Sequence, residues 1–179
     1  MIALKQRQQC GGAVMAALLL LLVAACTAQL APAYDPSIAD GLNATDKEVQ
    51  TLFATIGTGV DKDSFPARSP TYAHIIGDLN ALEIQVKTRI LPPDAAKLPD
   101  VEHLLGKLGI GQVGQDKRFT AFPSARAIHD AAATLAKMRD TDAAHGLAGE
   151  LVGAFANQTD IYMAQAIAYE SYLKRSGSM

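Results

Sequence analysis

Cys26 follows Val23, Ala24 and Ala25 and closes an uncharged run that begins at Ala13. Two small residues before a thiol suit a protease groove, and the thiol itself is a strong nucleophile once deprotonated. Other reactive residue types are scattered. His74, His103, His129 and His145 fall on or near different helical stretches, and imidazoles converging inside a bundle would hold a metal or haem. No H-x-x-x-H, E-x-x-H or Cys-x-x-Cys-His spacing supports that convergence. His74 and Asp78, four apart, form a helix-surface pair, while His129 and Asp130 are adjacent and diverge. Neither pair has a nucleophile motif such as G-x-S-x-G beside it. The expectation is a chain without catalytic residues, cofactor or metal ligands.

The run that leads to Cys26 decides more. Lys5 and Arg7 precede it, and no acidic residue occurs before Asp35. Ala13 to Ala25 spans 13 residues with leucine at every position from 18 to 22. A membrane-crossing helix needs roughly 20 apolar residues, so the dimensions are those of a signal-peptide core. From these residues alone, an uncleaved helical anchor and a secreted protein with an incidental Cys26 are the alternatives.

Val23-Ala24-Ala25-Cys26 resembles the lipobox of bacterial lipoprotein precursors, in which an aliphatic and two small residues precede an obligatory cysteine. The resemblance implies signal-peptidase recognition through Val23, Ala24 and Ala25. It further implies a thioether-linked diacylglyceryl group on Cys26, removal of residues 1–25, and acylation of the new amine. Each buried methylene contributes about 0.8 kcal/mol, so one chain binds marginally and two or more anchor stably. Thr27 stands where an aspartate would favour the inner membrane in enteric bacteria. The implied address is therefore the periplasmic side of the outer membrane, with the inner membrane the lesser alternative. Residues 26–35 then form the lipidated cysteine and a short tether, and residues 36–179 a single domain.

Loss of residues 1–25 removes Lys5 and Arg7 and leaves 154 residues, with 14 basic against 18 acidic side chains, a net charge of −4. Mild acidity without a basic cluster argues against a nucleic-acid partner. A chain of that size buries roughly 68–70% of its unfolded surface, enough for one core. Cys26 is the sole remaining cysteine, so no intrachain disulfide can form. Aromatic residues are 6% of the chain and tryptophan is absent. Alanine abundance with few aromatics favours helices over strands.

The periodicity predicts an all-α, up-and-down bundle of four main helices plus one short helix. Asp35 caps a first helix from Pro36 to Ile56, whose stripe is Ile38, Leu42, Thr45, Val49, Leu52 and Ile56 with Phe53 beside it. Gly57 and Gly59 end it, and Val60 to Arg68 reads as a loop. A second helix starts at Ser69-Pro70 and carries Tyr72, Ile75, Ile76, Leu79, Leu82, Val86 and Ile90 before Pro92-Pro93 stops it. The short helix spans about Pro99 to Leu108. Gly109-Ile110-Gly111-Gln112-Val113-Gly114 matches G-x-G-x-x-G in letters but lacks the βαβ setting that a dinucleotide site needs, and reads as a connector.

The next helix begins near Pro123 or Ser124, points Ile128, Ala131, Ala132, Leu135 and Met138 inward, and breaks at Asp140-Thr141-Asp142. The last helix runs from about Ala143 to Lys174, with interruption expected near Gly146 or Asn157. Its stripe is Leu147, Leu151, Phe155, Tyr162, Tyr169 and Leu173, joined by Gln158 and Gln165. Val152, Met163 and Ile167 widen the apolar surface past half the circumference. Tyrosine and glutamine on such a stripe must find partners, because an unsatisfied buried polar group costs ~1–3 kcal/mol. Gln158, Tyr162, Gln165 and Tyr169 therefore mark a groove for a peptide or small ligand, a hydrogen-bonded core network, or tyrosines whose hydroxyls reach the surface.

A lipobox followed by Tyr34-Asp35-Pro36-Ser37-Ile38-Ala39-Asp40-Gly41-Leu42, with a C-terminal helix of the Phe155…Ile161…Glu170…Lys174 kind, resembles small helical envelope lipoproteins. That resemblance implies fold and address and brings no catalytic residues. The expected function is a membrane-anchored, non-catalytic interaction or structural module with an envelope protein partner; the alternative is a ligand-, metal- or haem-binding bundle.

Overall fold

The computed structural model describes residues 31–90 and 122–176. Val23-Ala24-Ala25-Cys26, the short helix expected at 99–108, His103 and the expected connector at 109–114 lie outside the described residues. Four helices make up almost all of the rest: α1 (Pro36–Ile56), α2 (Phe65–Lys87), α3 (Pro123–His145) and α4 (Gly149–Ser176). Helix α1 packs on α2, α2 on α3, α3 on α4 and α4 back on α1. This closed order is that of an up-and-down bundle, with α2 and α4 diagonally opposite. Among the described residues, no helix is long and apolar enough to cross a membrane.

Helix α1 starts where proline and a cap require it. Asp35 Oδ1 accepts hydrogen bonds from the Ser37 backbone N–H (2.9 Å) and from Ser37 Oγ (2.7 Å). Those bonds hold the Asp35 carboxyl below its ordinary range. Its expected stripe is buried in full, from Ile38 to Ile56, with Thr45 and Phe53 included. The inward residues of α3 are buried as the spacing predicts, and Ser124, Ala125 and Ala127 join them. On α2, Tyr72, Ile75, Leu79, Leu82 and Val86 are buried, Ile76 is half-buried, and Ile90 lies past the helix end with 90% of its surface exposed.

Four boundaries differ from the sequence reading. Helix α2 begins at Phe65, so Pro70 sits inside it and Pro66 occupies the start. A proline in the second turn forgoes one backbone bond, and the added turn puts Arg68 on the helix. Helix α3 runs through Asp140-Thr141-Asp142 to His145, and the break falls at Gly146. Helix α4 is continuous through Asn157. The segment read as a loop after Gly59 holds a two-residue strand β1 (Gly59–Val60) and a 3-10 turn (Lys62–Ser64).

Strand β1 pairs antiparallel with β2 (Leu147–Ala148), Gly59 opposite Ala148 and Val60 opposite Leu147. This ribbon ties the α1–α2 connection to the α3–α4 connection at one end of the bundle. Gly146 adopts φ 74°, ψ −174°, a region open in practice to glycine alone. A β-carbon there would stand 2.5 Å from the Val60 carbonyl oxygen and 2.9 Å from the Lys62 nitrogen. Gly146→Ala should therefore lower the unfolding free energy by about 1–3 kcal/mol from backbone strain alone. Gly153, on α4, has open space where a β-carbon would go, and Gly153→Ala should stabilise by ~0.5–1 kcal/mol. Urea unfolding of the two variants checks both signs.

Candidate functional site

The last helix turns a different face inward from the one its periodicity suggests. Val152, Thr159, Met163, Ala166, Glu170 and Leu173 are the buried residues of α4. Leu151 is exposed, and Leu147 is buried on β2 rather than on a helix. Gln158 and Gln165 are exposed, while Tyr162 and Tyr169 are half-buried. The tyrosine–glutamine stripe is thus a flank of the bundle, and a core hydrogen-bond network built from it is excluded. An apolar surface covering more than half a helix leaves its phase undetermined. The phase is set instead by Glu170, a charged residue that periodicity counts as outward.

Glu170 is 1% exposed, and its carboxylate receives Arg89 through both terminal nitrogens, at 3.1 and 2.6 Å. Ser124 Oγ donates to the same carboxylate at 2.7 Å. Arg89 follows the end of α2, Ser124 opens α3 and Glu170 lies near the end of α4, so this cluster joins three chain segments at one end of the bundle. Burial first, then the neighbouring Glu170 charge, raises the Tyr169 phenol above its ordinary range.

A second buried pair closes the opposite end. Asp142 on α3 has no exposed surface and accepts from Arg68 Nε (2.9 Å) and Nη2 (2.6 Å) in the bidentate geometry that favours arginine. The Tyr72 hydroxyl donates to Asp142 at 3.2 Å. Arg68 Nη1 donates to Ser64 Oγ, and Nη2 also donates to the Asp61 carbonyl. Hydrogen bonding to Asp142 raises the Arg68 pKa further. Burial, reinforced by the Asp142 charge, lifts the Tyr72 phenol far above its usual value. In both clusters the carboxylate is engaged by an arginine and a hydroxyl, while Arg89 Nε is left without a hydrogen bond. Local sequence patterns missed both, because the partners stand 74 and 81 positions apart.

The described histidines do not converge. His129 Nδ1 lies 3.1 Å from Glu83, and His145 is an exposed residue at the end of α3. His74 is different. It stands on α2 within 3.5 Å of Asp78, as the four-residue spacing implies, and within 3.4 Å of Glu48 across the gap to α1. An open cleft of about 380 Å³ runs alongside, lined by Glu48, Thr51, Pro70, Thr71 and His74. Glu48 was not singled out in the sequence, since only the α1–α2 packing brings it to His74.

Removing the Asp142 carboxylate would strand the Arg68 charge. Asp142→Ala should cost about 3–5 kcal/mol in urea unfolding, and replacing Arg68 and Asp142 together by methionine and leucine should recover most of that loss. Tyr72 supplies a pH test. Its folded pKa is raised above an unfolded value of about 10. Its contribution is therefore complete below pH 10 and is lost as pH rises through the folded value. Tyr72→Phe should flatten the alkaline decline in melting temperature and remove the latest-ionising component of the tyrosinate absorbance.

No family of known proteins, no curated protein and no solved structure matches this chain.

Proposed function

We propose that the chain is a membrane-anchored bacterial envelope lipoprotein whose helical bundle serves as a non-catalytic interaction or structural module. The observation that carries this reading is Val23-Ala24-Ala25-Cys26 at the end of the Ala13–Ala25 run, behind Lys5 and Arg7. In this reading the acyl chains on Cys26 make the membrane contact, on the periplasmic face of the outer membrane.

The geometry of the bundle supports a role close to that surface. Helix α1 begins at Pro36, and the ten steps from Cys26 reach at most about 35 Å even when fully extended. A helix of 28 residues such as α4 is about 42 Å long, so the tether cannot carry the domain farther than its own length. The buried acidic and basic groups at both ends are engaged with one another, which suits a rigid module better than a reactive centre. An envelope protein partner fits such a module, and the −4 charge of the processed chain disfavours nucleic acid.

The test is metabolic labelling with a palmitate analogue in a bacterial host. The parent chain should take up label and lose residues 1–25. Cys26→Ser should abolish labelling and leave the precursor uncleaved at that bond. Normal labelling of the variant would defeat the proposal.

A further inference from the structure

Glu48, His74 and Asp78 each offer one donor atom, and the three atoms lie within 4.8 Å of one another. Two facts make this more than a surface ion pair. Among the described residues no lysine or arginine pairs with Glu48 or Asp78, so two carboxylates face a single imidazole. His74 Nε2 carries at most one proton and cannot satisfy both oxygens. The shortfall is visible: Glu48 Oε2 is buried and makes no hydrogen bond, although Nε2 is 3.4 Å away. A polar oxygen withdrawn from water without a partner is costly.

We propose that Glu48, His74 and Asp78 bind a first-row divalent transition cation, with Zn²⁺ the ion that fits best. Nitrogen and oxygen donors bound to one Zn²⁺ at about 2.1 Å in a tetrahedron stand about 3.4 Å from each other. The observed separations from His74 Nε2 are 3.4 Å to Glu48 and 3.5 Å to Asp78. One imidazole with two carboxylates is a donor set for this class of ion rather than for soft thiolate-seeking metals. The cation would supply the positive charge the cluster lacks and would engage the buried Glu48 oxygen. The cleft beside His74 leaves the fourth position open to water or to a partner's side chain. The site joins α1 to α2 and stands whether or not Cys26 carries lipid.

The test is calorimetric titration of the untagged full-length chain, metal-stripped and in detergent, with Zn²⁺. One saturable equivalent is expected. His74→Ala, Glu48→Gln and Asp78→Asn should each weaken it at least about tenfold, since even residues behind the ligands cost that much. His129→Ala should leave it unchanged. Zn²⁺ should raise the melting temperature of the parent chain and not that of His74→Ala. Absence of saturable binding, or parent-like affinity in His74→Ala, overturns the proposal. Should His74→Ala melt lower without metal, the isosteric Asp78→Asn decides by the same criterion.

Discussion

The bundle depends on two carboxylates that have no access to water. Asp142 and Glu170 are 0% and 1% exposed, and each would be prohibitive to bury alone, at several kcal/mol per ion after relaxation. Each is offset by a bidentate arginine from the α2 segment, Arg68 near its start and Arg89 just past its end. One chain segment therefore holds α3 at one end and α4 at the other. An apolar core built largely of alanine, leucine and isoleucine tolerates sliding; these two pairs do not. A slip of one residue would shift Arg68 by about 1.5 Å along the axis and swing it by 100° about it, breaking both bonds to Asp142. The register of the four helices follows from that intolerance. It has a cost: Arg89 Nε is left buried without a hydrogen bond.

These pairs also explain where the sequence was readable and where it was not. Helices α1 and α3 were legible because each has one narrow apolar stripe, and burial of Ile38 through Ile56 and of Ile128 through Met138 follows it residue by residue. Helix α4 was not, because its apolar residues leave several phases equivalent and the deciding residue, Glu170, is one that local patterning places outside. Asp140-Thr141-Asp142 has the look of a break and a new cap for the same reason. The Asp142 carboxylate is drawn inward by Arg68 and Tyr72, partners 70 or more positions earlier, so the helix continues to Gly146. Only a residue whose backbone geometry is itself restrictive gave a local signal there, and Gly146 was among the two interruption points its composition suggested.

The same divide runs through the candidate sites. As the proposed processing site, Val23-Ala24-Ala25-Cys26 would be read as a linear motif, so sequence alone holds all of the information for that proposal. The cleft is the reverse case. His74 and Asp78 share a helix and announce themselves by spacing, whereas Glu48 enters only through the packing of α1 on α2. A histidine with one carboxylate four residues away is an ordinary surface pair; the second carboxylate, half-exposed but with its Oε2 buried and unbonded, is what sets this cluster apart.

Topology finally relates the two ends of the domain to the proposed anchor. In an up-and-down bundle the start of α1 lies with the end of α2, the start of α3 and the end of α4. Asp35, Arg89, Ser124 and Glu170 therefore share one end, and the Arg89 charge contributes to holding the Asp35 carboxyl ionised. A lipidated Cys26 would put that end toward the membrane, and the Arg68–Asp142 clasp with the β1–β2 ribbon at the far one. Force or thermal motion transmitted through the tether would then enter at the start of α1, between the buried Pro32 and the first helical core contact at Ile38. The three-way Arg89–Glu170–Ser124 junction stands at that point of entry. A domain tethered by its first helix frays from there unless the neighbouring helix ends are tied together, and here side chains of three segments meet on a single carboxylate.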